Sequence, residues 1–117
     1  MAELQGLFTR AWGSPKPGYE EVLQRSFAWV VAREGEALVG FVNVAWDGGE
    51  HFFLLDTTVD TDRQRRGIGT GLVRQACEAC TGAGRWMHVD ADVSLMASFY
   101  NRCGFQRTAA GLLRLDP

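Results

Sequence analysis

The residues with the clearest capacity for chemistry lie in "DTDRQRRGIGTGLVRQ", Asp60 to Gln75, where Arg63, Arg65 and Arg66 precede Gly67, Gly69 and Gly71. The apolar run before this stretch reads as a strand and the pattern after it as a helix. A strand that turns into a helix here leaves backbone N–H groups without acceptors at the helix N-terminus, where the helix dipole also favours negative charge. Glycines keep Cβ atoms away from those groups, and the arginines surround them with charge. The pattern predicts a site for a diphosphate. Two familiar diphosphate sites fail on spacing. The dinucleotide fingerprint G-x-G-x-x-G would need a glycine where Leu72 stands, and the P-loop needs a Lys before Ser or Thr, whereas the only lysine is Lys16.

Other constellations carry less. Cys77-x-x-Cys80 has the letters of a redox pair, but a working pair sits at a helix N-terminus and this one lies deep in its helix. With Cys103 it supplies three thiols without a second pair or paired histidines, so these residues read as small core groups and no metal is expected. His88 and Asp90 alternate with Met87 and Val89 on one strand, so they share a face. The four tryptophans are scattered, which reads as core rather than a platform for bases.

These residues must be positioned by elements legible in the pattern. Leu4, Leu7, Phe8, Ala11 and Trp12 fall on one face of a helix over 2–12, and after "GSPKPG" a short helix carries Tyr19, Val22 and Leu23. "FAWVVAR", "ALVGFVNVAW" and "HFFLLDTTV" read as three strands joined by "EGE" and "DGG", turns that favour hairpins. Ile68, Leu72, Ala76, Ala79 and Cys80 form a helical stripe closed by "TGAG", "RWMHVDA" is a strand, and residues 94–103 form a helix closed by Gly104. The tail "FQRTAAGLLRL" is expected to give one or two short strands. A helix linking two strands makes them parallel. The prediction is an α/β fold with a mixed sheet, antiparallel N-terminal strands, a parallel crossover and helices on both faces.

With 117 residues, the chain is expected to be a single domain over 1–117 with one modest core. A net charge of −2 argues against a general nucleic-acid or membrane binder, and no window approaches the roughly 18 apolar residues of a membrane span. An odd number of cysteines and no leader pattern suit a soluble, cytoplasmic protein with reduced thiols.

"QRRGIG", Gln64 to Gly69, resembles the acyl-CoA signature Q/R-x-x-G-x-G/A of the GCN5-related N-acetyltransferases, the GNAT superfamily. The apolar strand before it and the helix after it are the context that family requires. "SFYNRCGF", Ser98 to Phe105, resembles the second signature, an aromatic-Tyr pair followed four residues later by Gly-Phe. The resemblance covers about residues 27–115, with the two N-terminal helices in the places of the family's first helices.

The resemblance implies that acetyl-CoA is the cofactor. Its pyrophosphate would lie on the loop of Gln64, Arg65, Arg66, Gly67, Gly69 and Thr70, and its pantetheine arm would run in a cleft by backbone groups near Val59. Acetyl transfer needs a neutral amine, a stabilised oxyanion and a proton for the departing thiolate. Tyr100 occupies the place of the family's general acid, a phenol with a pKa of roughly 10. Asp56 stands where some small-amine members place a carboxylate, as base or acceptor anchor, while Phe53 stands where others carry Glu. His88 and Asp90 would bind the acceptor if their shared face is the cleft face. The expected function is an N-acetyltransferase using direct attack by a primary amine of a small molecule or peptide. A non-catalytic acyl-CoA-binding module and a protein or aminoacyl-tRNA acetyltransferase are the alternatives.

Three departures from the family stand out. The usual first strand is missing, as a short variant or a truncation would explain; the tail after Phe105 is brief; and Ser94 replaces a common Asn. They imply an acceptor pocket that is either open or completed by a second copy in a homodimer.

Overall fold

A computed structural model describes all residues 1–117 and contains a four-stranded sheet in the order β1-β2-β3-β4. The strands are β1, Ala28–Glu34; β2, Ala37–Trp46; β3, His51–Val59; and β4, Trp86–Val89. The first two pairings are antiparallel and β3 with β4 is parallel, because helix α3, Ile68–Cys80, carries the chain back across the sheet. The mixed sheet expected from the sequence is therefore present.

Two helical layers divide the faces of the sheet. Helices α1, Ala2–Trp12, and α2, Tyr19–Arg25, bury Leu4, Leu7, Phe8 and Tyr19 against Leu38 and Phe41. On the other face α3 packs Leu72, Val73, Ala76 and Cys80 against Val42, Val44, Phe52 and Leu54. Strand alternation makes this possible, since neighbours such as Phe41 and Val42 point to opposite layers. At about 25 cal/mol per Å² of apolar surface removed from water, each fully buried Phe contributes roughly 2–3 kcal/mol. Gly40 allows α3 to come close, because a Cβ there would stand 3.0 Å from Ile68 and Leu72.

Beyond β4, Asp92 caps a helix, α4, by accepting from the Leu95 N–H at 2.8 Å. This helix opens as an α turn, Val93–Leu95, and widens into a π-helix, Met96–Tyr100, in which the Asn101 N–H reaches back to the Met96 carbonyl. Helical spacing does not reveal such a widening. Gly104, at φ 96°, closes the turn as expected. The expectation of strands in the tail fails: residues 106–117 are exposed and without regular structure. "TAAG" offers small residues of low strand propensity, and Leu112, Leu113 and Leu115 pack on nothing.

Candidate active site

The glycine loop is held from both sides. Asp60, 3% exposed, accepts from Arg10 Nε at 3.0 Å and ion-pairs with Arg63 at 3.4 Å, which fixes the end of β3 to α1 and to the turn Thr61–Arg63. Arg65 at φ 68° and Gly67 at φ 83° then reverse the chain into α3. The first acceptor inside α3 is the Gly67 carbonyl, bonded by the Gly71 N–H at 3.1 Å, and Gly67 has no side chain to cap the N–H groups that precede that of Gly71. The N–H groups of Ile68, Gly69 and Thr70 consequently have no protein acceptor. A Cβ on Gly69 would stand 3.2 Å from the Phe99 ring, so α4 also lies against this turn.

Charge at the loop is less free than the sequence implies. Arg63 and Arg66 both pair with Glu34 on β1, at 3.5 and 3.3 Å, and Arg65 is the arginine of the three without an ion pair. Glu34, 32 residues away from Arg66, gives no local signal of this role. Gln64 donates from Nε2 to the Val59 carbonyl at 3.4 Å and so ties the loop to the strand end.

Below the loop the sheet splits. Pairing of β3 with β4 ends at Leu54 with Val89, whereas β3 continues to Val59, leaving one backbone edge from Leu55 onward without a strand partner. Between Leu55 and Thr58 β3 also bulges, since Asn43 opposes Leu55 while Phe41 opposes Thr58. Asp56 sits in the bulge at φ 56°, a left-handed conformation that Asp tolerates better than most residues.

The bulge sends consecutive side chains to different layers. Thr57 meets Tyr100, whose hydroxyl donates to Thr57 Oγ1 at 3.4 Å. Tyr100 is buried among the α3-layer residues, and burial raises its pKa above the ordinary phenol value, with the Thr57 contact opposing and Cys103 assisting. Asp56 instead faces the α1–α2 layer. It accepts from the Tyr19 hydroxyl at 2.9 Å and ion-pairs with Lys16 at 3.5 Å. Burial, then the hydrogen bond and charge of Asp56, push the Tyr19 pKa far upward, so its phenol stays a donor. Thr58 completes the bulge by donating to the Asp56 carbonyl at 2.8 Å and accepting from Trp12 Nε1 at 3.0 Å.

His88 pairs across the sheet with Phe53, on the α1–α2 face, stacks on its ring at 4.9 Å, and lies 2.7 Å from His51 through Nε2 and Nδ1. Asp90 is exposed one residue beyond β4 and bonds to none of these groups. The loop residues 64–70 and Val59 are thus adjacent, Asp56 and Tyr100 flank one bulge from opposite layers, and no hydrogen bond or ion pair links His88 or Asp90 to either of them. Lys16, Tyr19, Thr57 and His51 escaped the sequence reading. Only Lys16, as the lone lysine between two prolines, carried any local signal. The thiols remain small core groups: burial raises Cys77, Cys103 and, to about 11, Cys80.

The chain matches the Acetyltransferase (GNAT) family across residues 1–105. It belongs to that family. No curated protein sequence matches the chain. Among solved structures, a GNAT-family acetyltransferase from Streptococcus pneumoniae is 22% identical with a TM-score of 0.85, over 98% of this chain and 89% of that one. A candidate acetyltransferase from Deinococcus radiodurans is 28% identical with a TM-score of 0.79, over 97% of this chain and 79% of the other. AAC(6')-Iy, solved with the bisubstrate analogue CoA-S-monomethyl-acetylneamine, shares the fold at 20% identity and a TM-score of 0.76, over 99% of this chain and 90% of its own. This GNAT chain is therefore of an acyl-transferring family. None of its helices is long and apolar enough to cross a membrane.

Proposed function

We propose that this GNAT chain is an acetyl-CoA-dependent N-acetyltransferase that acts on a primary amine of a small molecule or peptide by direct attack. The observation that carries the reading is the alignment along β3 of three things: the acceptor-free N–H groups opening α3, the unpaired strand edge below them, and Tyr100 at the bulge. These features suit acetyl-CoA. The N–H groups of Ile68, Gly69 and Thr70 would take its pyrophosphate with charge from Arg65, and the open edge near Val59 would take its amide-bearing arm.

When bound, acetyl-CoA supplies an activated acyl group and a sulfur leaving group. The chain's part is to hold protons at the correct atoms. Burial keeps the Tyr100 hydroxyl protonated through neutral pH, ready to donate toward the bulge edge. Asp56, on the other side of the same backbone, would anchor an acceptor ammonium and accept its proton. His88, with His51 and Phe53, forms an exposed patch on the acceptor-side face, and together with Asp90 it would contact a larger acceptor. Direct attack is favoured by the thiols, since burial raises the pKa of all three and so lowers the thiolate fraction available to carry an acyl group.

We extend the proposal to a cytoplasmic homodimer. Three free cysteines suit a reducing compartment, and β1 and β4 each leave one edge of the sheet unpaired. Light scattering would check the assembly. Incubation with acetyl-CoA and a panel of primary amines should release free thiol, and Tyr100→Phe should slow that release without weakening CoA binding. CoA binding with no thiol released for any amine would reduce the chain to a binding module.

A further inference from the structure

Lys16 has no part in the chemistry described so far, yet its position is built with care. It lies in "SPKPG", between Pro15 and Pro17, each of which fixes its own φ. Gln5 clamps its backbone twice: Gln5 Oε1 accepts from the Lys16 N–H, and Gln5 Nε2 donates to the Lys16 carbonyl, both at 2.7 Å. The ammonium stands 5.8 Å from the centre of the Phe8 ring and 3.5 Å from Asp56 Oδ1. Tyr19 holds the other carboxylate oxygen at 2.9 Å, so Asp56 presents one oxygen, and Lys16 occupies it.

In the transfer proposed above, that oxygen is where an acceptor ammonium must arrive. The inference rests on that reading. The geometry points to Lys16 as an internal acceptor: in the absence of a competing amine, the chain acetylates its own Lys16 from acetyl-CoA. Asp56 takes one proton from the ammonium and passes it to solvent. The neutral Nζ forms a bond to the acyl carbon as the carbon–sulfur bond breaks. The sulfur leaves with the proton of Tyr100, and the second proton lost from nitrogen replaces it. The products are an amide at Lys16, free CoA thiol and one proton. The four-carbon stem of Lys16 is flexible and 39% exposed, so it can swing from Asp56 toward the bulge edge while its backbone stays clamped. Acetylation removes its charge and leaves Asp56 open to an external cation.

The composition of the chain makes the test clean, because Lys16 is the only lysine. The full chain, incubated with acetyl-CoA alone, should gain the mass of one acetyl group, and peptide mapping should place it on Lys16 rather than on the Met1 amine. The half-time should not change as the protein is diluted. Asp56→Asn and Tyr100→Phe should each slow the modification about a hundredfold, the lower range for a positioned acid or base. Cationic amines that release thiol should also slow it. Thiol release with added amines while Lys16 stays unmodified would overturn the inference and leave the transferase reading standing. Modification at equal rates in wild type, both variants and the urea-unfolded chain would overturn it as uncatalysed chemistry. CoA binding with neither amines nor Lys16 acetylated would sink the transferase reading and the inference with it.

Discussion

The two sides of β3 are built from different materials. On the α3 side, the loop of Gln64 to Thr70 offers backbone N–H groups and glycine space, and the charges beside it are mostly paired off: Arg66 and Arg63 on Glu34 of β1, Arg63 also on Asp60. On the α1–α2 side, the work falls to side chains gathered from distant segments, Lys16, Tyr19 and Asp56. A backbone site accepts one common ligand and is insensitive to most substitutions. A side-chain site can differ from relative to relative while the sheet stays the same, so in the proposed reaction acceptor choice would be set there.

Tyr100→Phe should break the comparison most sharply, because it removes one hydroxyl at the bulge and nothing from the loop. Turnover should fall about a hundredfold or more, as for loss of a positioned general acid, while CoA affinity stays within about twofold. Steady-state kinetics and calorimetric titration with CoA check the two halves. An equal loss of both would mean that Tyr100 shapes the cofactor cleft and does not supply a proton.

Asp56→Ala tests the other side. It removes the partner of both Lys16 and the Tyr19 hydroxyl together with the proposed proton acceptor, so kcat/KM for the acceptor should fall about a hundredfold, with a higher acceptor KM making up part of the loss. The KM for acetyl-CoA should be unchanged. Gly67→Ala reverses that pattern. At φ 83° a Cβ costs about 1–2 kcal/mol, and distortion of the turn should weaken CoA binding several-fold with the acceptor KM untouched.

The same contrast explains what could be read in the sequence. The loop was legible because Gly67, Gly69 and the arginines are contiguous, and because any helix that starts after a strand leaves its first N–H groups without acceptors. Helix α3 and strands β1 to β3 were legible because their apolar spacing has a single period. Lys16 and Tyr19 were not, since their partner lies 40 and 37 residues away and is reached only through a one-residue bulge in β3. A bulge changes which layer a side chain faces without changing the letters around it. The π-turn of α4 is hidden for the same reason: Met96, Phe99 and Tyr100 keep an apolar pattern that suits either helix. The tail failed in the opposite direction. Its leucines suggested strands, but a strand needs a neighbour, and the sequence does not say whether one is present.

The smallest effect should appear in stability. Tyr19 and Tyr100 are buried, and both have pKa values raised above the ordinary phenol value, so the folded chain keeps protons that the unfolded chain begins to lose near pH 10. Stability that depends on these phenols is therefore fully present below about pH 10 and is lost as pH rises from there toward their folded values. Urea melts from pH 8 to pH 11 should show a falling midpoint. In Tyr19→Phe the fall should be shallower, because one of the two linked protons is gone, even though the variant starts lower at pH 8 through loss of the bond to Asp56. If the slope is the same with and without the Tyr19 hydroxyl, that phenol is not held protonated. It would then ionise beside Asp56, and the acceptor side would be open to water in a way that the Tyr100 side is not.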